Sequence, residues 1–188
     1  CRTSIDWQFS ADVTAYDFSH IPDGVLRMFF YGQSFGALNR YVRAPLRDRT
    51  RVLIAIIDEF NYMAQVPSLR TFAAMAAKTW RTFGAHLWTA DQDAHTYLGT
   101  AGGVADAAML STFQNTPLKI ILRQDLEAAE RLVTVIDGLR PAHARLIAQQ
   151  QQGECVIVWE SDTPGVGNEV LVGQMVPNPD ALRAFAGT

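Results

Sequence analysis

The sequence contains little cysteine and has no long hydrophobic run. Its two cysteines, Cys1 and Cys155, lie far apart in a chain of 188 residues, so they do not form the disulfide framework of a small secreted domain. A reducing compartment is therefore expected, and Cys155, inside an apolar stretch, is expected to be buried and unreactive. No apolar stretch approaches the roughly 18 residues that a membrane span requires, and the N-terminus lacks the layout of a signal peptide. Any membrane contact is expected to be peripheral.

Lysine is also scarce, and neither of the two lysines belongs to a phosphate-binding loop. That loop reads G-x-x-x-x-G-K-[ST], whereas Lys78 and Lys119 both follow apolar residues. The glycine-rich segments 99–103 and 165–168 contain no lysine. The chain begins at Cys1 without a methionine, so we expect a fragment of a longer protein whose phosphate-binding loop lies upstream. The alternative is a relative of such proteins that never had the loop.

The overall charge gives no support for avid nucleic-acid binding. The net charge is −3, and 14 of the 16 basic residues are arginine. A local exception is a run of five arginines within twelve residues, which can grip phosphate or an acidic partner, or can form a solvated connection into the next strand. These arginines are Arg40, Arg43, Arg47, Arg49 and Arg51.

The most informative feature is an apolar run, residues 52–57, that ends in two adjacent carboxylates, Asp58 and Glu59. The run is rich in β-branched residues, which is typical of a buried parallel strand. A nucleotide hydrolase needs this form, known as Walker B, because the first acid holds Mg²⁺ through water and the second polarises the attacking water. The alternative is a core strand whose Asp58 merely caps the following helix.

Hydrophobic periodicity and turn signals predict alternating strands and helices. With a hydrophobic content of 48%, the alternation predicts an α/β fold in a single domain over residues 1–188. We expect a mostly parallel sheet with helices on both faces, and the strand ends at 58–59 and 91–92 side by side. The predicted strands are 12–17, 51–57, 84–90, 117–122, 154–159 and 169–173, the last two forming a hairpin, and the predicted helices are 25–41, 68–83, 104–113, 126–137, 141–152 and 179–186.

Four short segments, in this order, resemble the RecA-like motor domain of the conjugative-transfer and type IV secretion ATPases. They are IAIIDEF at 54–60, KTWRTFG at 78–84, LWTADQ at 87–92 and FQNTPLKI at 113–120. The resemblance extends over residues 13–185. It implies a RecA-like P-loop NTPase core of which this chain is the C-terminal half, from Walker B onward and without Walker A.

The resemblance also implies roles for individual residues. Asp58 would support Mg²⁺ through water, Glu59 would activate the lytic water, and Gln92 would sense the γ-phosphate of ATP. Arg81 would reach the nucleotide of a neighbouring subunit as an arginine finger, and Arg123 is a second candidate for that role. ATP and Mg²⁺ are thus the cofactors implied for the full-length protein.

One departure from the family pattern affects the sensor residue. The family tends to have threonine directly before the glutamine, whereas Ala90 and Asp91 stand between Thr89 and Gln92 here. A missing phosphate-binding loop also removes most ligands of the β- and γ-phosphates, so we expect the chain alone to be inactive.

The function implied is that of an ATP-hydrolysing motor for conjugative DNA transfer or type IV secretion. Its implied partners are other copies of itself, as a hexamer in the full-length form, and components of the transfer channel. Contact with DNA would be indirect, and the location would be the cytoplasm, at or near the inner face of the bacterial inner membrane. The alternatives are a non-catalytic scaffold of the same machinery and a module that binds single-stranded DNA through the arginine run.

Overall fold

The computed structural model describes residues 9, 13–18, 20–22, 24–99, 103, 105–161, 163 and 167–176. Its contacts divide the chain into two compact units. Unit 1 comprises residues 1–92 and 107–115, and unit 2 comprises residues 93–106 and 116–188. None of the described helices combines the length and the apolar character that a membrane span needs.

Unit 1 is built around a pair of parallel strands. The strands pair in register from Leu53 opposite Ala85 to Ile57 opposite Thr89. Pro67 occupies the first turn of the third helix, where its missing N–H costs no hydrogen bond. The elements are α1 (Gly24–Arg43), β1 (Leu53–Ile57), α2 (Phe60–Ala64), α3 (Pro67–Thr79), a 3₁₀ helix (Trp80–Phe83), β2 (Ala85–Thr89) and α5 (Ala107–Gln114).

The core of unit 1 is aromatic. Phe35 of α1 packs edge-on against Phe72 of α3, with ring centroids 4.8 Å apart, and lies 5.6 Å from the ring of Trp80. The indole of Trp80 is buried and donates a hydrogen bond from Nε1 to Oδ1 of Asn39 at 3.1 Å. This bond satisfies the polar end of the ring, so α1 is fixed against α3 and the 3₁₀ helix.

Unit 2 contains an antiparallel sheet in the order β3-β4-β5. Asp125 caps α6 by accepting a hydrogen bond from the N–H of Ala128 at 2.8 Å. Gly138 has a φ of +88°, and a Cβ there would lie 2.8 Å from the carbonyl oxygen of Asn168, so this turn requires glycine. The elements are α4 (His95–Leu98), β3 (Leu118–Ile121), α6 (Leu126–Val135), α7 (Pro141–Gln149), β4 (Glu154–Trp159) and β5 (Glu169–Gln174).

Most predicted elements are confirmed, including the β4–β5 hairpin and the burial of Cys155. The predicted helix 68–83 ends as an α-helix at Thr79 and continues as the 3₁₀ helix, while α2 was not predicted. Residues 13–17 form no strand, because all five are exposed and no strand lies beside them among the described residues. The predicted helix 179–186 lies outside the described residues.

The prediction of a mostly parallel sheet is wrong. Among the described strands only β1 and β2 pair in parallel, whereas β3 pairs antiparallel with β4, and β4 antiparallel with β5. The short connection between β4 and β5 forces the direction of that pair, because parallel neighbours need a crossover of a dozen or more residues. The α/β character of the chain is confirmed, and the single-domain interpretation stays a prediction.

The expectation that β1 is buried on both faces is also wrong for the described residues of unit 1. Ala55 and Ile57 face the core, but Ile54 is 50% exposed and Ile56 is 67% exposed. Trp88, opposite Ile56 in the register, is 52% exposed. Helices of unit 1 therefore cover one face of this strand pair and leave the other apolar face open.

Candidate functional site

Two backbone hydrogen bonds bring the polar ends of β1 and β2 together. The N–H of Ala90 donates to the carbonyl of Ile57 at 2.9 Å, and the N–H of Phe60 donates to the carbonyl of Ala90 at 3.0 Å. These bonds continue the β1–β2 ladder beyond the last paired residues. Residues 58–59 therefore lie beside residues 91–92, at the carboxyl end of a parallel strand pair, where ligands normally bind.

Glu59 has an unusual backbone conformation. Its φ of 48° and ψ of 52° are left-handed, and among the described residues it is the only non-glycine residue with a positive φ. The N–H of Glu59 donates to Oδ1 of Asp58 at 3.0 Å, and the carbonyl of Glu59 accepts from the N–H of Tyr62 at 3.1 Å. Strain of this kind in a charged residue at a strand end is typical of functional sites. Both carboxylates are exposed.

Asp91 and Gln92 form the second half of the site. Oδ1 of Asp91 accepts a hydrogen bond from the N–H of Gln92 at 2.8 Å, while its Oδ2 is buried and has no hydrogen-bond partner among the described residues. The side chain of Gln92 is exposed, so its amide is available to a ligand. The sequence analysis placed Asp91 at this strand end but gave a role only to Gln92, although the two residues inserted after Thr89 were a signal that this strand end is unusual.

Residues near the acidic pair also come from α1. Burial raises the pKa of Tyr31 above its ordinary value, Glu59 and Asp58 raise it further, and Arg27 acts in the opposite direction. The guanidinium of Arg27 lies 5.6 Å from the ring centroid of Tyr62 and donates to the carbonyl of Ile21. Tyr31 is thus within electrostatic reach of both carboxylates and of a cation, which no spacing in the sequence indicated.

The carboxylates of Asp58, Glu59 and Asp91, which we call the acidic site, suit a divalent cation better than a triphosphate. Asp58 presents exposed carboxylate oxygen, and Asp91 holds an oxygen that lacks a donor, so water-mediated binding of Mg²⁺ is chemically reasonable. Across the described residues, however, no three His, Cys, Asp or Glu side chains are grouped as a metal site. Lys119 does not serve a phosphate, since it lies in β3, where burial lowers its pKa and its Nζ donates to the carbonyl of Thr116.

Of the two arginines predicted as arginine fingers, Arg81 lies in unit 1 and Arg123 lies in unit 2. Arg81 is exposed in the 3₁₀ helix that precedes β2, so it belongs to the amino end of the strand pair rather than to the end that carries Asp58. Arg123 is exposed in the loop after β3, in unit 2. Within unit 1 the structure does not bring Arg81 to Asp58 and Glu59, and the roles of Arg81 and Arg123 stay predictions.

Comparison with known proteins shows the fold of the chain. No protein-family model matches it, and no curated protein sequence matches it. Solved structures do match, among them a structure of VirB4 of Thermoanaerobacter pseudethanolicus, with a TM-score of 0.66 and 18% sequence identity. That match covers 87% of this chain and 40% of the VirB4 chain, so this chain spans less than half of the protein that it matches. The resemblance found in the sequence is therefore confirmed at the level of fold.

Proposed function

We propose that this chain is the Walker B and sensor part of an ATP-hydrolysing motor for conjugative DNA transfer or type IV secretion. The phosphate-binding loop would come from sequence outside these 188 residues. The observation that carries the proposal is the pair Asp58–Glu59 at the carboxyl end of a parallel strand, beside Gln92, in a fold similar to that of VirB4.

In this proposal Glu59 acts on the attacking water. Its exposed carboxylate is held by a left-handed backbone, so it can accept a hydrogen bond from water, orient it and take its proton. Asp58 would hold a water molecule in the coordination shell of Mg²⁺. When bound, ATP supplies the phosphoanhydride bond and Mg²⁺ neutralises charge on its phosphates.

The remaining site residues are proposed to sense the terminal phosphate of ATP and to act on the nucleotide of a neighbouring subunit. The amide of Gln92 can donate and accept hydrogen bonds, so it can report whether a terminal phosphate is present. Arg81 or Arg123, both exposed, would neutralise charge at a neighbouring subunit's nucleotide. This role requires an oligomer, for which we propose a hexamer of the full-length protein.

The proposed setting follows from the same function. Partners would be components of the secretion or conjugation channel, with DNA contacted indirectly. The full-length motor would work in the cytoplasm, at or near the inner face of the bacterial inner membrane. Peripheral association with that membrane is part of the proposal.

The deciding experiment uses the longer protein that contains this chain. Glu59→Gln keeps the size of the side chain and removes its basicity, so phosphate release should fall by about 10² to 10⁴-fold while ATP binding persists. Glu130→Gln makes the same chemical change at an exposed position of α6 and should leave turnover unchanged. Equal turnover in both variants and in the unmutated protein would contradict the proposal.

A second candidate function is a non-catalytic scaffold of the same machinery. The observation in its favour is that no G-x-x-x-x-G-K-[ST] pattern occurs in these 188 residues. If the longer protein also lacks this pattern and releases no phosphate, the scaffold is the correct function.

A further inference from the structure

A group of arginines lies at the end of the β1–β2 pair opposite to the acidic site. Arg51 lies two residues before the start of β1, and Gly84 directly precedes β2, with the N–H of Leu53 donating to the carbonyl of Gly84 at 3.2 Å. A five-residue strand spans about 16 Å, so the group is well separated from Asp58. We call it the basic patch, and it consists of Arg40, Arg43, Arg47 and Arg49.

The basic patch is organised around Phe83. The guanidinium groups of Arg43 and Arg49 each lie 5.4 Å from the centroid of this ring. Arg47 donates to the carbonyl of Phe83 and, from Nη1, to the carbonyl of Arg51 at 3.3 Å. Cation–π contacts and carbonyl acceptors thus hold three guanidinium groups in place before any ligand arrives, which lowers the entropic cost of binding.

The arginines of the basic patch form no ion pair within the part of the chain that the structure describes. None of the four has a carboxylate oxygen of a described residue within 4.0 Å. The one acid in the segment, Asp48, accepts hydrogen bonds from the N–H of Thr50 at 2.9 Å and from its hydroxyl at 2.7 Å. Arg43 is held by neutral acceptors, Oδ1 of Asn39 and Oγ1 of Thr79. The fold therefore positions these cations without neutralising them.

We propose that the basic patch binds an acidic segment of a partner protein, one with several closely spaced Asp or Glu side chains. Guanidinium groups in fixed positions match carboxylates well, because each can form two parallel hydrogen bonds. The patch consists of arginine alone, which favours this geometry over simple attraction between point charges. This interaction is independent of the nucleotide site.

Single-stranded nucleic acid suits the basic patch less well. Proteins that bind single strands offer aromatic faces on which bases stack. Here the ring of Phe83 is already engaged by two guanidinium groups, and Trp80 is buried.

The test measures fluorescence anisotropy with the 188-residue chain and two labelled probes. One probe is a peptide in which glutamate and serine alternate, and the other is an oligothymidylate with the same number of charges. Arg40→Gln with Arg49→Gln should weaken peptide binding by about tenfold, since two charge pairs are lost. Arg49→Lys keeps the charge but loses the fork geometry, so it should fall between the double variant and the unmutated chain.

Arg145→Gln is the matched control, because it removes an exposed arginine from α7 in unit 2. It should bind the peptide like the unmutated chain. Circular dichroism confirms that each variant is folded, and Arg40→Gln alone, which removes no contact with Phe83, provides a second measurement. The proposal is overturned if the unmutated chain does not bind the peptide, if the patch variants bind it as well as Arg145→Gln does, or if the oligothymidylate binds more tightly through the same arginines.

Discussion

Glu59 combines an unusual backbone conformation with the proposed role of activating the attacking water. A left-handed conformation costs a non-glycine residue about 1–2 kcal/mol, because its Cβ approaches the carbonyl oxygen. The neighbouring structure offsets this cost, because the side chain of Phe60 is buried and the N–H of Tyr62 donates a hydrogen bond to the carbonyl of Glu59. Glycine would be the more stable residue here, so the carboxylate is present in spite of its cost to stability.

This conformation gives a prediction for stability. Glu59→Gly should be more stable than Glu59→Ala by about 1 kcal/mol, because both variants lose the carboxylate and only alanine keeps the strain. Urea denaturation of the 188-residue chain measures the difference.

At the matched control position, the stability difference between glycine and alanine should have the opposite sign. At Glu130, in the interior of α6, glycine should be less stable than alanine by about 1 kcal/mol. If glycine and alanine are equally stable at position 59, the left-handed conformation of Glu59 is not a feature of the folded chain.

At the scale of elements, His95 joins α4 to the start of α6. Its Nδ1 lies 2.9 Å from the carbonyl oxygen of Gly99, so this nitrogen carries the proton in the neutral ring. Its Nε2 lies 3.6 Å from Oδ2 of Asp125, and the two side chains are 17% and 61% exposed. The carbonyl of Gly99 raises the pKa of His95, burial acts in the opposite direction, and Asp93, Asp125 and Glu127 raise it further.

A raised pKa makes the contribution of His95 depend on pH in a definite direction. The stabilisation is fully present below the unfolded-state pKa of about 6.5 and is lost as the pH rises through the higher folded-state pKa. We expect His95→Gln to destabilise the chain at pH 6 by less than about 1 kcal/mol and to have a smaller effect at pH 9. Urea denaturation at the two pH values tests this.

Gln152→Ala serves as the control, because the side chain of Gln152 is exposed, lies in unit 2 and does not titrate. Its effect should not change between the two pH values. A destabilisation by His95→Gln that grows with pH would contradict the assigned contacts.

At the scale of the whole molecule, our proposal gives this chain one side of a nucleotide site. The carboxylates and the glutamine are in place, but the backbone N–H groups and the lysine of a phosphate-binding loop are not among these 188 residues. In our proposal this other side belongs to the longer protein. The apolar face of Ile54, Ile56 and Trp88 is consistent with a sheet that another layer covers.

Thermal denaturation tests whether the 188-residue chain alone can bind ATP. The melting temperature of the 188-residue chain should not change when Mg²⁺ and ATP are added, because the triphosphate lacks most of its ligands. The longer protein should gain about 2.7 kcal/mol of stability at an ATP concentration of about 100 times Kd. A shift in the short chain that Asp58→Asn removes would show that the site is complete without further sequence.

The sequence by itself determined most elements and the acidic pair. Local periodicity fixes α1, α6 and the strand that ends at Asp58, because the side chains that decide a helix or a strand lie within a few residues of one another. The choice of Gln92 came from the resemblance of the segment 87–92 to the ATPase family, and its role stays a prediction. Each of these predictions depends on short stretches of chain.

The tertiary structure decided the direction of β3, β4 and β5, the open face of β1, the strain at Glu59 and the buried oxygen of Asp91. It also placed Arg43 and Arg49 over the ring of Phe83, more than thirty residues further along the chain. Sheet pairing, burial and cation–π contacts join residues that are distant in sequence. No local pattern encodes those contacts, so only the folded chain shows them.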